Sequence, residues 1–444
     1  MTTKVYHYRN SFLEIINDDI RLLMDPWINP GNLDSWAGCK AHNFIFDSIN
    51  KKPVDFIYIS HLHSDHFDLK FLKTLRKKQK KTFKIVVKKF KDHRLKNKLI
   101  ESNFFKEKDI IELDEYVSYN LKKKNFLTIL PQKSASNSES IYINYDLDTS
   151  CIFKNRDVQL YNQVDNPYSP KDLGEILRIL KRKNLKNDFD ISFIPYCAAS
   201  EYPQAYINLN RNKEKKIIIK SRLKTFYNLS KKINTKHIVP AGGTYRLGLF
   251  YSKLNKYLAV PSNKEILSQY KKLDKKNYTK ILDGENFSFE FNNRTMKMKK
   301  STYINEFKSF INEKGKDPLD LLVKSKFNKK EIEKKLHKVE KNLLSFKLNL
   351  HKKLNSNINF FIYNKQPLKI GKISNYTSML KHQVLKQNHT KNKIVLNIHM
   401  YYKVVECLIK GKVSWNEMQS LCLFERKPNK YEPDSHFWLN LYKI

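Results

Sequence analysis

Three histidines and an aspartate lie within six residues directly after a short apolar segment, residues 54–59. The run is His61-Leu62-His63-Ser64-Asp65-His66. The apolar segment predicts a buried strand, and alternate residues beyond a strand can point the same way, so the first two histidines can share a metal ion. A bend at Ser64 would turn the last two residues toward a second metal, and imidazole and carboxylate groups suit zinc, iron or manganese. An exposed polar turn is the alternative, but it does not explain why so many ligand-type side chains end an apolar strand.

Short apolar segments alternate with helical patterns over roughly the first 260 residues. Residues 11–17 and 20–24 predict a hairpin, and residues 171–183 have apolar side chains at helical spacing. This layout predicts an α/β fold in which helices pack outside a β-sandwich. Apolar residues recur at three- and four-residue steps in 329–354, and 396–411 also favours a helix. We therefore expect a sandwich domain at 1–262 and a mostly helical extension at 263–444 packed on it.

The histidine-rich run resembles the hallmark of the metallo-β-lactamase superfamily, whose fold is an αββα sandwich. The resemblance implies further metal ligands from later loops, among them Asp165, where a carboxylate could bridge two metals. It also implies that Asp25 orients a ligand histidine. In a hydrolytic reaction, Asp65 or Asp165 could accept the proton of a metal-activated water. An ordinary loop aspartate is the alternative for Asp165.

Further segments resemble the CMP-N-acetylneuraminate hydroxylase family. They are Asp25-Pro26-Trp27, Asn162-Gln163-Val164-Asp165-Asn166, Pro195-Tyr196-Cys197-Ala198-Ala199-Ser200 with Tyr202-Pro203, Pro240-Ala241-Gly242-Gly243, and Trp415-Asn416-Glu417 with Arg426-Lys427-Pro428 and Tyr431. The resemblance implies a sugar-nucleotide substrate, a Rieske iron–sulfur electron donor, and a metallo-β-lactamase-like domain for substrate and iron. Tyr196, Ser200 and Arg246 are candidate substrate-binding residues, with core or surface roles as the alternative.

The chain departs from these families in two respects. It lacks the combination of a Cys-x-His and a Cys-x-x-His pair, so we expect no iron–sulfur cluster in it, and oxygenase chemistry would need a separate electron-transfer protein. The superfamily usually supplies another histidine before the Asp165 position and one near the end of the domain. Residues 131–140 contain no histidine, and Glu139 or Gln132 could substitute as a metal ligand. We expect one or two divalent metal ions, the second held more weakly.

Composition limits the partners and the compartment. Lys and Arg number 85 against 44 Asp and Glu, a net charge of +41, which suits a small anionic substrate. Because the basic residues are dispersed, nucleic acid is not an expected partner. Five cysteines without a Cys-x-x-Cys pair do not indicate disulfides. No stretch of about 20 uncharged apolar residues occurs and residues 1–10 do not resemble a secretory signal, so we expect a cytoplasmic protein without a membrane span.

These features predict a metal-dependent enzyme that acts on an anionic carbohydrate or nucleotide sugar. Two reactions remain open, hydrolysis by a metal-activated hydroxide and iron-dependent hydroxylation with an external electron donor. A nuclease of the same fold is one alternative, because the charge and the histidine-rich run permit it. A non-catalytic binding or scaffold protein with a degenerate site is the other, because the later histidines are missing.

Overall fold

The computed structural model describes residues 2–31, 33, 35–37, 41–135, 143–197, 200–303, 319, 323–324, 326–346, 356–367, 380–383, 394–410 and 415–427. The strands in these residues are β1 (Thr3–Arg9), β2 (Phe12–Ile16), β3 (Arg21–Met24), β4 (Trp36–Ala37), β5 (Phe56–Ile59), β6 (Lys84–Lys88), β7 (Ile110–Leu113), β8 (Ser118–Lys122), β9 (Asn125–Pro131), β10 (Thr149–Lys154), β11 (Gln159–Asn162), β12 (Phe189–Pro195), β13 (Thr235–Ala241), β14 (Arg246–Leu247), β15 (Phe287–Asn292), β16 (Thr295–Lys300), β17 (Ser356–Tyr363), β18 (Leu380–Gln383), β19 (Ile394–Tyr401) and β20 (Leu423–Lys427).

The α-helices are α1 (His42–Ile49), α2 (Leu69–Lys78), α3 (Arg94–Glu101), α4 (Pro170–Arg182), α5 (Arg211–Lys232), α6 (Asn263–Leu273), α7 (Lys329–Phe346), α8 (Tyr402–Ile409) and α9 (Trp415–Gln419). Short 3-10 helices lie at Glu107–Asp109, Leu249–Tyr257 and Tyr278–Lys280. No helix in the described ranges is both long and apolar enough to cross a bilayer.

Two mixed sheets form the body of the molecule. The first has the order β16-β15-β1-β2-β3-β5-β6-β7, and the second has the order β13-β12-β11-β10-β9-β8. The predicted hairpin is confirmed: β2 and β3 pair antiparallel, with Leu13 opposite Met24. From β3 to β7 the neighbours are parallel, so the carboxyl ends of β3 and β5 lie at the same edge of the sheet.

The sheets pack face to face, and helices cover both outer faces. Strand β5 shows the alternation that this requires: Phe56 and Tyr58 lie in the core between the sheets, while Ile57 and Ile59 face a second core shared with α1, α2 and α3. Helices α4, α5 and α6 contribute to a third core on the outer face of the second sheet. The predicted αββα sandwich is therefore confirmed.

Helix α4 illustrates how local sequence defines an element of the outer layer. The side chain of Ser169 accepts a hydrogen bond from the backbone N–H of Asp172, and the carboxylate of Asp172 accepts one from the backbone N–H of Ser169. Pro170 occupies the first turn. Leu173 and Ile176 lie on its buried stripe. The helix follows the loop that carries Asp165, so its cap fixes where that loop ends.

The C-terminal half contains more strand than expected. Residues 287–300 form β15 and β16, which extend the first sheet beyond the predicted boundary at 262. The C-terminal extension was expected to be mostly helical, but among the described residues it includes a four-stranded sheet of order β18-β17-β19-β20. The segment 396–411 was expected as one helix, but residues 396–409 form the end of β19 followed by α8, because Leu396, Ile398 and Met400 alternate onto the buried face of that sheet.

This small sheet packs on loops at one edge of the sandwich. The backbone N–H of Ile207 donates to the carbonyl of Phe424 at 2.9 Å, and Phe424 donates back to Ala205 at 2.9 Å. The Tyr251 hydroxyl donates to the carbonyl of Leu421 at 3.0 Å. These segments lie after β12 and β13, two parallel strands of the second sheet, so the C-terminal part of the chain holds the loops beyond their carboxyl ends.

Candidate metal centre

Chain segments from both sheets meet at one edge of the sandwich. The end of β1 supplies Asn10, the end of β3 supplies Asp25, and the end of β5 supplies the histidine-rich run. From the second sheet, Asp148 immediately precedes β10 and Asp165 follows β11. Parallel strands place their carboxyl ends together, which is why residues distant in sequence become neighbours here.

The first group of possible metal ligands comprises His61, His63 and Asp148. Nε2 of His61 lies 2.9 Å from Nδ1 of His63 and 3.6 Å from Oδ1 of Asp148. His61 and Asp148 are buried, while His63 is partly exposed. Two imidazoles and one carboxylate therefore converge on a point that is open on the His63 side.

The second group centres on His66, which is completely buried. Its Nε2 lies 3.4 Å from Oδ2 of Asp65 and 3.2 Å from Oδ2 of Asp165. The side chain of Asp165 is 23% exposed, so this carboxylate reaches solvent. His61 is close to both groups, since it also forms a possible ligand set with His66 and Asp165. The two sites are adjacent.

Asp25 and Ser60 fix the tautomers of two ligand histidines. Asp25 accepts bonds from the Ser60 hydroxyl at 2.6 Å and from Nδ1 of His66 at 2.9 Å. Because the single Ser60 proton is used there, Ser60 Oγ must accept from Nδ1 of His61, which lies 2.9 Å away. Both histidines then carry a proton on Nδ1, which leaves Nε2 as the nitrogen that would bind a metal ion. Asp25 is thus placed where the resemblance implied.

The electrostatics of the cluster favour a bound cation. Burial, together with His66 and His63, holds the pKa of His61 well below its usual value, so His61 is neutral. Burial would also lower the pKa of His66, but the carboxylates of Asp65, Asp165 and Asp25 raise that pKa well above its usual value. The carboxylates of Asp65, Asp165 and Asp25 therefore stabilise a positive charge at His66, and a metal ion can replace the proton that supplies this charge.

Asp148 is the candidate ligand that the sequence analysis missed. Gln132, considered as a ligand itself, instead accepts the backbone N–H groups of Leu147 and Asp148, each at 3.1 Å. The neighbouring Asp146 accepts from Lys88 Nζ at 2.7 Å, so the loop before β10 is held at two points. Residues 143–145 form a turn just before this loop. The acidic Asp146-Leu147-Asp148 segment before β10 was the available signal. Glu139, the proposed substitute ligand, lies outside the described residues.

The predicted substrate-binding residues lie on the loops beside the cluster. The hydroxyl of buried Tyr196 is 3.1 Å from that of Thr244, which follows the Pro-Ala-Gly-Gly turn. The backbone of Ser200 contacts Tyr245, whose hydroxyl donates to the Ser200 carbonyl at 2.8 Å. Arg246 is exposed. Their contribution to substrate binding stays a prediction.

Gly242 explains how the turn after β13 approaches the site without contributing a histidine. It has φ +81°, and a Cβ there would lie 3.2 Å from Oδ1 of Asp165 and 3.1 Å from Pro195. A side chain at this position would therefore crowd the carboxylate. The turn packs directly against Asp165.

The residues fit a pair of metal ions. Nε2 of His66 and Oδ1 of Asp165 are buried, yet neither has a hydrogen-bond partner in the described residues. Buried polar atoms usually have partners, so these two atoms are what a coordination site requires. The donors are imidazole nitrogens and carboxylate oxygens, a set that suits iron, manganese or zinc.

No family model matches the chain. Over 53 residues, or 12% of this chain, it is 40% identical to a protein of Mycolicibacterium smegmatis described as a Rieske 2Fe-2S iron-sulfur protein. The matched segment spans only 10% of that relative's length.

Solved structures show more extended but distant similarity. CmlA, a diiron β-hydroxylase from Streptomyces venezuelae, aligns with a TM-score of 0.43 and 12% identity over 67% of this chain and 54% of CmlA. The metallo-β-lactamase fold protein YhfI from Bacillus subtilis aligns with a TM-score of 0.40 and 11% identity over 65% of this chain and 100% of YhfI.

Proposed function

We propose that this chain is a metal-dependent enzyme with two adjacent metal sites. His61, His63 and Asp148 bind the first ion. Asp65 and His66 bind the second, and Asp165 lies between the two. The observation that carries this proposal is the convergence of three imidazoles and three carboxylates on one edge of the sandwich, where buried His66 Nε2 faces Asp65 at 3.4 Å and Asp165 at 3.2 Å.

The donor set at the first site suits iron and zinc alike. Two histidines and one carboxylate with open positions are the ligand pattern of non-haem iron(II) oxygenases and also of catalytic zinc sites. The second site, with one histidine and two carboxylates, is richer still in oxygen donors. We propose hydroxylation as the reaction because several segments resemble the CMP-N-acetylneuraminate hydroxylase family, with hydrolysis as the second candidate. Bound metals would activate dioxygen or water and polarise a substrate oxygen.

The chain's own groups have distinct roles in this proposal. Asp25 orients His66 through its 2.9 Å hydrogen bond. Asp165 is the carboxylate that reaches solvent, so it can accept a proton from a substrate or water, and this is the observation that keeps hydrolysis open. Asp65 is the other carboxylate that can take part in proton transfer.

For the substrate we propose an anionic carbohydrate or nucleotide sugar. The net charge of +41 supports an anionic ligand, and the resemblance of several segments to the CMP-N-acetylneuraminate hydroxylase family supports a nucleotide sugar. Tyr196, Ser200 and Arg246 would contact it. Hydroxylation also requires two electrons from outside, so we propose a separate electron-transfer protein as partner.

The test is the metal content of protein purified without added metal, measured by elemental mass spectrometry. His63→Ala removes one proposed ligand. His93→Ala is the matched control, because His93 is a partly exposed histidine that pairs with Glu112 instead, at 2.7 Å. We expect one to two iron ions per chain in the wild type and in His93→Ala, and fewer in His63→Ala.

Each result has a defined consequence. Iron at that level supports the hydroxylase, and dioxygen uptake with the nucleotide sugar and a chemical reductant should then be measured. Zinc or manganese supports the hydrolase instead. Wild-type metal content no higher than that of His63→Ala would overturn the proposed metal centre and leave a non-catalytic binding protein.

A further inference from the structure

Asn10 connects the candidate metal centre to the turn that follows β13. It is 1% exposed and lies at the tight turn between β1 and β2 with φ +50°. Its side-chain amide donates from Nδ2 to Oδ2 of Asp65 at 3.2 Å and accepts the backbone N–H of Thr244 on Oδ1 at 3.2 Å. Its carbonyl accepts the N–H of Gly242 at 3.0 Å.

We propose that Asn10 is a positioning residue that aims the Asp65 carboxylate at the second metal. The proposal rests on the proposed function, because it takes Asp65 as a ligand. The same oxygen that Asn10 contacts, Oδ2 of Asp65, lies 3.4 Å from Nε2 of His66. Fixing that oxygen therefore fixes one side of the second coordination site.

The side chain has to be an amide to make both contacts. Asp65 needs a donor and the Thr244 N–H needs an acceptor, and an asparagine supplies one of each in fixed geometry. An aspartate would place a carboxylate against a carboxylate, and an aliphatic residue would leave the buried Thr244 N–H unpaired. The Asp65 carboxylate and the Thr244 N–H therefore also fix the orientation of the Asn10 amide, with Nδ2 toward Asp65 and Oδ1 toward Thr244.

Asn10 also accounts for how the second site can work without a histidine on the turn after β13. Gly242 packs against Asp165, and Asn10 binds Gly242 and Thr244 on either side of Gly243. The turn thus holds Asp165 by packing and Asp65 through Asn10. The second metal would have the ligands Asp65, His66 and Asp165, with the remaining positions open.

Asn10→Gly tests this role with little disturbance of the backbone. Glycine adopts positive φ readily, so the variant removes the amide and keeps the turn and its carbonyl. Asn293→Gly is the matched control, because Asn293 also has positive φ, 44°, and lies in the β15–β16 turn at the other end of the first sheet. Metal-free protein is titrated with cobalt(II), whose visible absorption reports the number of bound ions and their coordination.

We expect the wild type and Asn293→Gly to bind two cobalt ions per chain. Asn10→Gly should bind the first ion unchanged and the second about 10- to 100-fold more weakly, the usual effect of losing a group that orients a ligand. The absorption bands of the second ion should also shift. Retention of the first ion shows that the variant is folded.

The remaining outcomes overturn the inference in different ways. Two ions bound equally well by Asn10→Gly would show that Asn10 does not position Asp65, while the metal centre would stand. Loss of both ions in Asn10→Gly would make Asn10 a general structural residue. One ion in the wild type would remove the second site, and none would overturn the proposed function itself.

Discussion

Polar side chains are buried at both ends of the β-sandwich, and the two ends differ in how their hydrogen-bonding groups are paired. At the end away from the histidines, Asn125 accepts on Oδ1 from Asn17 at 2.9 Å and from Asn155 at 3.0 Å. Asn155 also donates to Thr3, which donates to Asp157 at 3.2 Å. We call these five residues the asparagine network. At the other end, the histidine and carboxylate cluster gathers the carboxylates of Asp65 and Asp165 around His66 Nε2 and leaves Asp165 Oδ1 without a hydrogen-bond partner among the described residues.

The difference separates a structural polar network from a binding site. In the asparagine network donors and acceptors are matched, so the network stabilises the sandwich by itself. In the metal-ligand cluster, acceptors and negative charge are in excess, which costs stability unless a cation is bound. Two polar clusters of similar burial therefore differ in what they need: the asparagine network is complete without a ligand, whereas the metal-ligand cluster requires a cation. Three experiments test this difference.

The largest effect should come from adding metal to metal-free protein. A ligand that binds only the folded state at about 1,000 times its Kd stabilises that state by about 4 kcal/mol. We expect iron(II) or manganese(II) to raise the midpoint of thermal unfolding by about 4 °C in the wild type. His63→Ala should lose most of this increase. Equal midpoints with and without metal would mean that the excess carboxylates are tolerated without a cation, and the comparison would fail.

The second-largest effect should be a loss of stability at low pH, caused by the buried His7 at the metal end of the sandwich. Burial lowers the pKa of His7 to about 4, and its Nε2 donates to the carbonyl of Asn10 at 2.9 Å. Below pH 6.5 the unfolded chain binds a proton that the folded chain takes up only near pH 4. Stability therefore falls as the pH decreases across this window, by about 3 kcal/mol for this group.

His7→Gln removes the titrating group and keeps a donor for the Asn10 carbonyl. We expect urea unfolding of the metal-free proteins to show a smaller loss of stability between pH 7 and pH 4.5 in the variant. Groups other than His7 contribute equally to both proteins, so the difference isolates His7. Parallel pH curves for the two proteins would contradict the prediction.

The smallest effect should come from Asn125→Ala in the asparagine network. The change leaves the Asn17 and Asn155 amides without their shared acceptor, which should cost about 1–3 kcal/mol in urea unfolding. Cobalt stoichiometry and affinity should stay at wild-type values. A change in metal binding would show that the two ends of the sandwich are coupled, contrary to the comparison.

Much of the sandwich and part of the site could be predicted from local sequence. The apolar strand β5 is followed almost at once by the run His61-Leu62-His63-Ser64-Asp65-His66, so a buried strand with candidate metal ligands at its end could be predicted without any tertiary contact. The strand that residues 396–401 contribute to the C-terminal sheet could not, because the apolar residues of 396–411 fit a helical stripe as well as an alternating strand. The pairing of β19 with β17 and β20 selects the strand over the helix, and that pairing joins segments that are distant in the sequence.

The local sequence identified four of the candidate metal ligands, whereas the packing of the fold fixed how they are arranged and what joins them. Three imidazoles and a carboxylate in six residues require a metal ion, protons or hydrogen-bond partners once they are buried. Asp148 and Asn10 have no local signature of comparable strength, since one is an ordinary aspartate before a strand and the other a turn residue. They enter the site because β10 packs beside β5, where the Tyr58 hydroxyl meets that of Thr149 at 2.6 Å, and because β1 ends at the same edge. Only the packing of the two sheets could bring these groups within hydrogen-bonding distance.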